Sequence, residues 1–223
     1  MAKPVVRAHQ RDIDELPWRQ IAGGSGSFER VIALDEANGS ATRFLKLEPG
    51  ASLPAERLDR WEETYVLEGA FERDGVAYRA GSYICQRPGE ARAATASADG
   101  ALVFQLRDFN DVLDKESVAW TAEALEALPW ERIPYRDDDF EQKVLSQGPS
   151  GSLTALGRIE AGARTTEPDL HDFDEEVLIF DGACSSHRGV YRAGTYTCMP
   201  AGAEDGPFVF DERLTCLEIK NYS

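Results

Sequence analysis

The chain has 223 residues, enough to bury one large core or two small ones, and it carries 40 acidic against 24 basic residues, a formal net charge of −16. That balance repels phosphate backbones and anionic lipid surfaces, so neither nucleic acid nor a membrane is an expected partner. No apolar window approaches the length of a membrane span, and the opening MAKPVVRAHQRDIDELPW lacks a signal-peptide core, which predicts a cytoplasmic protein.

Along the chain, His9 falls in the charged leader and is expected to be solvated. Strand signals then become dense: TYVLEGAF, VAYRAGSYIC and ALVFQLRDF are short β-branched or aromatic runs separated by Gly, Pro and Asp turns. The segment VAWTAEALEALPW places Ala, Leu and Glu at helical spacing, with Thr121 as N-cap and Pro129 beyond the end, and predicts a short linker helix. A second set of strand signals follows. His187, in the polar turn SSHRG, is expected to be solvated like His9, and the four cysteines form no Cys-x-x-Cys pair and read as reduced and mostly buried.

The two sets of strands are copies of one another. LPWRQI at Leu16 recurs as LPWERI at Leu128, 112 residues on, and EETYVLEGA at Glu62 recurs as EEVLIFDGA at Glu175, 113 residues on. The second offset continues from YRAGSYIC to YRAGTYTC. A tandem duplication of an antiparallel all-β unit follows, with domains expected at 1–115 and 116–223. Sheet edges in each half suggest a homodimer.

The stretch EPGASLPAERLDRWEETYVLEGAFERDGVAYRAGSY and the later PAGAEDGP resemble the two motif blocks of the cupin superfamily, and the leading LPW makes the chain similar to the ChrR-like branch. The resemblance covers nearly the whole chain twice and implies two tandem cupin barrels of the jelly-roll type. It also implies a metal in each barrel, held by His-x-His and Glu from the first block and a His from the second. In the amino-terminal half those positions fall on Glu56, Leu58, Glu63 and Arg92. A leucine cannot ligate and a guanidinium repels a cation, so this site reads as degenerate: Glu63 and Arg92 are expected to pair with each other, and the half to be structural or to bind an anionic or polar organic group through Arg92.

The carboxy-terminal half offers Asp169, His171, Glu176 and Asp205. One imidazole and up to three carboxylates suit Fe2+ or Mn2+ better than copper. The resemblance therefore implies an enzyme of small-molecule metabolism with oxygenase-like chemistry in this barrel. Two further readings stay open. One is a metal-free isomerase, cyclase or lyase in which His171 is acid or base, oriented by Glu176 or Asp205, with Tyr196, Phe173 and Trp61 shaping the pocket. The other is a non-catalytic ligand-binding or regulatory protein.

Overall fold

The computed structural model describes residues 3–110, 113–133 and 139–222. Strands dominate the fold, and the described residues hold two helices of five residues each, Gln10–Asp14 and Ala122–Glu126. The second is the expected linker helix: Thr121 accepts a hydrogen bond from the Ala124 amide at 3.4 Å, satisfying one of the orphan donors of its first turn.

Two compact units result. One comprises Leu16–Asp111 with Glu116–Leu128, and the other Ala2–Glu15, Val112–Lys115 and Pro129–Ser223. The leader strand Val6–Ala8 therefore pairs with Tyr196–Met199 in the carboxy-terminal unit, while Val118–Trp120 pairs with Tyr83–Gln86 in the amino-terminal one. Repeat boundary and unit boundary fall at different places. The unit carrying most of a repeat takes an edge strand from the segment that precedes the other repeat.

In the amino-terminal unit the long strands Ala41–Leu53 and Trp61–Arg73 both pair with Ala101–Asp108, and Trp61–Arg73 also pairs with Tyr83–Gln86. The carboxy-terminal unit repeats this arrangement with Leu153–Ile159, Asp174–Asp181, Leu214–Asn221 and Tyr196–Met199. Each unit closes on its own apolar core. Leu45, Leu47, Val66, Phe71, Ile84 and Val103 fill one, and Phe140, Ile159, Ile179, Tyr191, Phe210 and Leu214 fill the other.

Gly69 and Gly182, equivalent in the two repeats, have φ of 66° and 81°. A Cβ at Gly69 would lie 2.1 Å from the Gly100 carbonyl oxygen, and one at Gly182 would lie 1.9 Å from that of Arg213. Glycine alone admits both the backbone conformation and the close approach of the neighbouring strand.

All four cysteines are free and buried. Burial, with the nearby Asp205 and Asp211, pushes the Cys184 thiol up to about 12, and burial with Glu176 does the same for Cys198. His187 is exposed, as expected. His9 is not free in solvent: it is partly buried, with Nδ1 3.3 Å from the Thr195 hydroxyl.

Candidate functional site in the carboxy-terminal barrel

Strand alternation decides which side chains reach the barrel interior. Ile179 belongs to the core and Val177 packs against it, so Glu175 shares their inward face while Glu176 points the other way. On the neighbouring strand Leu214 and Cys216 are core residues, which turns Glu218 and Lys220 inward as well. Register places Glu175 directly across from Lys220.

These side chains border a cavity of about 140 Å³. Its apolar wall includes Phe140, Ile159, Phe208, Phe210 and Leu214, and its polar wall is made by Glu175, Glu218, Lys220 and Asp205. Phe140 and Phe210 meet edge to face with ring centroids 5.6 Å apart, fixing the apolar wall. The Tyr191 hydroxyl, also in the lining, is buried without a hydrogen-bond partner.

The polar wall is a connected set of charges. His171, 9 % exposed, places Nε2 3.4 Å from the Glu175 carboxylate, and Lys220 Nζ lies 2.9 Å from Glu218. Glu175 and Glu218 line the same wall, and each acts on the other's titration. Burial favours the neutral form of both, but the bond and charge of His171, aided by Lys220, outweigh it at Glu175 and hold that carboxyl below its ordinary range. At Glu218 burial, reinforced by the negative Glu175, prevails over Lys220 and pushes the carboxyl up. The two carboxyls therefore titrate as a pair, Glu175 below and Glu218 above the ordinary carboxylate range.

Glu176 takes a different role from the one expected. Its carboxylate accepts from Lys3 Nζ and from the Tyr196 hydroxyl, each at 2.6 Å, on the face of the sheet away from the cavity. Tyr196 is fully buried there and does not shape the pocket. The amino-terminal repeat builds the same anchor, with the Tyr83 hydroxyl donating to Glu63 at 2.5 Å. Glu63 therefore does not pair with Arg92, which binds Glu56 at 2.8 Å and reaches Glu62 at 3.4 Å. In each Glu-Glu pair the first member faces inward. Phe173 packs beside His171, ring centroids 4.8 Å apart, and against Tyr222 at 5.1 Å, so it supports the imidazole and does not line the cavity. Trp61 is a buried residue of the amino-terminal unit and has no part in this pocket.

Asp169 and Asp205 stand opposite each other on a two-residue ladder. The side chain of Asp169 lies outside the described residues. Asp205 is buried and accepts from the Gly206 amide at 2.9 Å, and it faces the guanidiniums of Arg7 at 3.9 Å and Arg188 at 3.7 Å. Two permanent cations thus already neutralise the carboxylate expected to bind a metal, and they would repel a third.

The donor set decides whether the metal implied by the resemblance suits this barrel. His171 and Glu175 converge, but Asp205 is held by arginines, and among the described residues no group of three or more His, Cys, Asp or Glu side chains could hold an ion. Two protein donors do not make the set of three or four on which iron or manganese sites are built, so the described residues do not fit the group.

Comparisons with known proteins agree with the architecture. The family model described as the ChrR cupin-like domain matches residues 7–108 and again 119–222. No curated protein sequence matches the chain. Among solved structures, a provisionally named dioxygenase from Nostoc punctiforme superposes with a TM-score of 0.82 at 13% identity, covering 98% of this chain and 82% of that one. A provisionally named glyoxylate-induced protein from Pseudomonas aeruginosa gives 0.72 at 13%, covering 92% and 84%. The oxalate decarboxylase of Bacillus subtilis gives 0.60 at 15%, covering 97% and 77%. At these identities the likeness concerns the fold. With its family model spanning both repeats, the chain belongs to the ChrR cupin-like domain family and is a tandem bicupin.

Proposed function

We propose that the carboxy-terminal barrel is a proton-transfer site, with isomerase-type chemistry on a small and largely apolar carbonyl compound. The observation that carries this reading is the placement of Glu175 and Glu218 together in the cavity wall, Glu175 3.4 Å from His171 Nε2 and Glu218 2.9 Å from Lys220 Nζ, with the first carboxyl driven down and the second up. Two carboxyls driven apart in this way supply a base and an acid at the same pH. Glu175 takes a proton from the carbon next to the carbonyl, and Glu218 gives its proton to the carbonyl oxygen, leaving an enol. In a β,γ-unsaturated substrate the enol is a dienol, and return of the Glu175 proton to its γ-carbon, with the enol proton going back to Glu218, moves the double bond into conjugation with the carbonyl and resets the pair.

His171 and Lys220 act as positioning residues in this account. His171 keeps Glu175 ionised, and Lys220 secures Glu218 against the wall. The cavity resembles in size the ~150 Å³ cavity that admits a benzene ring, so the substrate body is on the order of six to ten heavy atoms. The unpartnered Tyr191 hydroxyl offers a hydrogen bond to a second polar group on it. Fe2+- or Mn2+-dependent oxygenase chemistry, which the family resemblance implies, has the convergence of His171 and Glu175 in its favour.

A panel of small cyclic and aryl ketones, incubated with the protein in D2O and followed by proton NMR, tests the proposal. Protein-dependent loss of α-proton signals is expected, persisting in excess chelator and abolished in Glu175→Gln. Exchange that disappears on chelation and returns with Fe2+ or Mn2+ would transfer the chemistry to a metal, and exchange that survives Glu175→Gln would remove the proposed base.

A further inference from the structure

The amino-terminal barrel gathers arginines where the other gathers acids. Glu62, the inward counterpart of Glu175, is 1% exposed and is surrounded by three guanidiniums: Arg92 at 3.4 Å, Arg107 at 3.5 Å and Arg60 at 3.7 Å. Glu56, at the rim, bridges Arg92 at 2.8 Å and Arg60 at 2.9 Å. Deeper in the same unit, Arg43 pairs with Glu29 and Gln105, and Arg73 bonds only neutral groups in this cluster, Thr95 at 3.1 Å and Gln86 at 3.2 Å. Five guanidiniums thus meet one fully buried carboxylate, Glu62, two partly exposed ones, Glu29 and Glu56, and Asp59, which draws on Arg60 from the surface with its side chain 70% exposed.

The hydrogen bonding is as unbalanced as the charge. The Nε groups of Arg60 and Arg92 are buried with no hydrogen-bond partner, while Arg107 Nε meets the otherwise unbonded oxygen of Glu62 only as an ion pair at 3.5 Å, without hydrogen-bond geometry. Arg60 and Arg92 are each about 95% buried, so water does not readily satisfy these donors. Burial and the neighbouring Arg43 push Arg107 down to about 10, as expected for like charges crowded together. Buried cations in excess of their partners are costly unless an anion joins them. Arg107, a quarter exposed, and Glu56, a third exposed, leave the rim open to solvent.

We propose that the mouth of the amino-terminal barrel binds a compact dianionic oxyanion, a dicarboxylate or a phosphate, through Arg60, Arg92 and Arg107. Its oxygens accept from the orphaned guanidinium N–H groups, and its charge offsets the buried excess. Planar guanidiniums suit paired oxygens, which favours carboxylate or phosphate over a spherical halide. This site is independent of the proton-transfer reading of the other barrel.

Isothermal titration of the full chain with sodium malonate and with inorganic phosphate, ionic strength held constant with NaCl, tests the assignment. Saturable binding of at least one is expected, and which one binds distinguishes dicarboxylate from phosphate. Arg92→Gln and Arg107→Gln should each weaken it by about tenfold or more. Glu62→Gln, which removes the competing carboxylate, should strengthen it, an effect that a purely structural network would not produce. His171→Ala should leave it unchanged. No binding beyond the NaCl control, equal affinity in Arg107→Gln, weaker binding in Glu62→Gln, or loss of binding in His171→Ala would each overturn the proposal. Should Arg92→Gln fail to fold, the more exposed Arg107→Gln and the opposite-signed Glu62→Gln carry the test.

Discussion

The same backbone positions carry opposite chemistry in the two barrels. Arg92 stands across from Glu56 where Asp205 stands across from Asp169, Leu58 occupies the place of His171, and Gln105 that of Glu218. Yet both keep the inward glutamate, Glu62 or Glu175, and both keep the buried Tyr–Glu anchor on the opposite sheet face. The frame is fixed by strand register, close-packed glycines and that anchor. The polar interior was free to change sign, from a cage of guanidiniums to a pair of carboxyls.

That contrast is broken most severely at the inward glutamates. In the deuterium-exchange assay, Glu175→Gln should lower the rate by about 10²–10⁴-fold, the scale of lost general-base catalysis, while Glu62→Gln leaves it nearly unchanged. Equal losses would mean that the barrels share one activity. The frame should respond alike in both halves: Gly69→Ala and Gly182→Ala should each cost about 3–5 kcal/mol in denaturant unfolding, since either Cβ meets a carbonyl oxygen well inside contact distance. A mild effect at one position would show that its strand can shift.

Lys3→Met leaves Glu176 as a buried carboxylate deprived of its lysine, and should destabilise the carboxy-terminal unit by about 3 kcal/mol. Smaller still is a pH effect confined to that unit. Glu218 titrates above its unfolded value, so its contribution is fully present below about pH 4 and fades as pH rises through its folded value. Glu175 titrates below its unfolded value, so its contribution is present above about pH 4 and is lost as pH falls through its folded value. Glu218→Gln should flatten the alkaline side of the stability profile and leave the acid side in place, as read by chemical denaturation across pH.

Much of this architecture was legible in the sequence. The repeat offset, the strand runs and the Thr121 cap announced two all-β units and a short helix, because each is a local pattern. The choice between Glu175 and Glu176 was not local. In EEVLIF both alternating faces are apolar, Val177 and Ile179 on one and Leu178 on the other, so periodicity alone does not say which side is the barrel interior. The outward glutamate is stabilised by Lys3, 173 residues away in sequence, and by Tyr196 on the neighbouring strand. Glu218 and Lys220 lie outside both motif blocks, and only the pairing of Glu175 with Lys220 across the sheet brings them to the site. The capture of Asp205 by Arg7 likewise depends on the leader strand docking on the carboxy-terminal unit.

The proposed chemistry requires Glu218 to keep its proton at neutral pH while Glu175 is ionised, and that state can be read without knowing the substrate. Infrared difference spectroscopy of the folded protein at neutral pH should show the carbonyl stretch of a protonated carboxylic acid, present in wild type and in Glu62→Gln and absent in Glu218→Gln. A spectrum with no protonated carboxyl at neutral pH, or one whose band survives Glu218→Gln, would contradict the account.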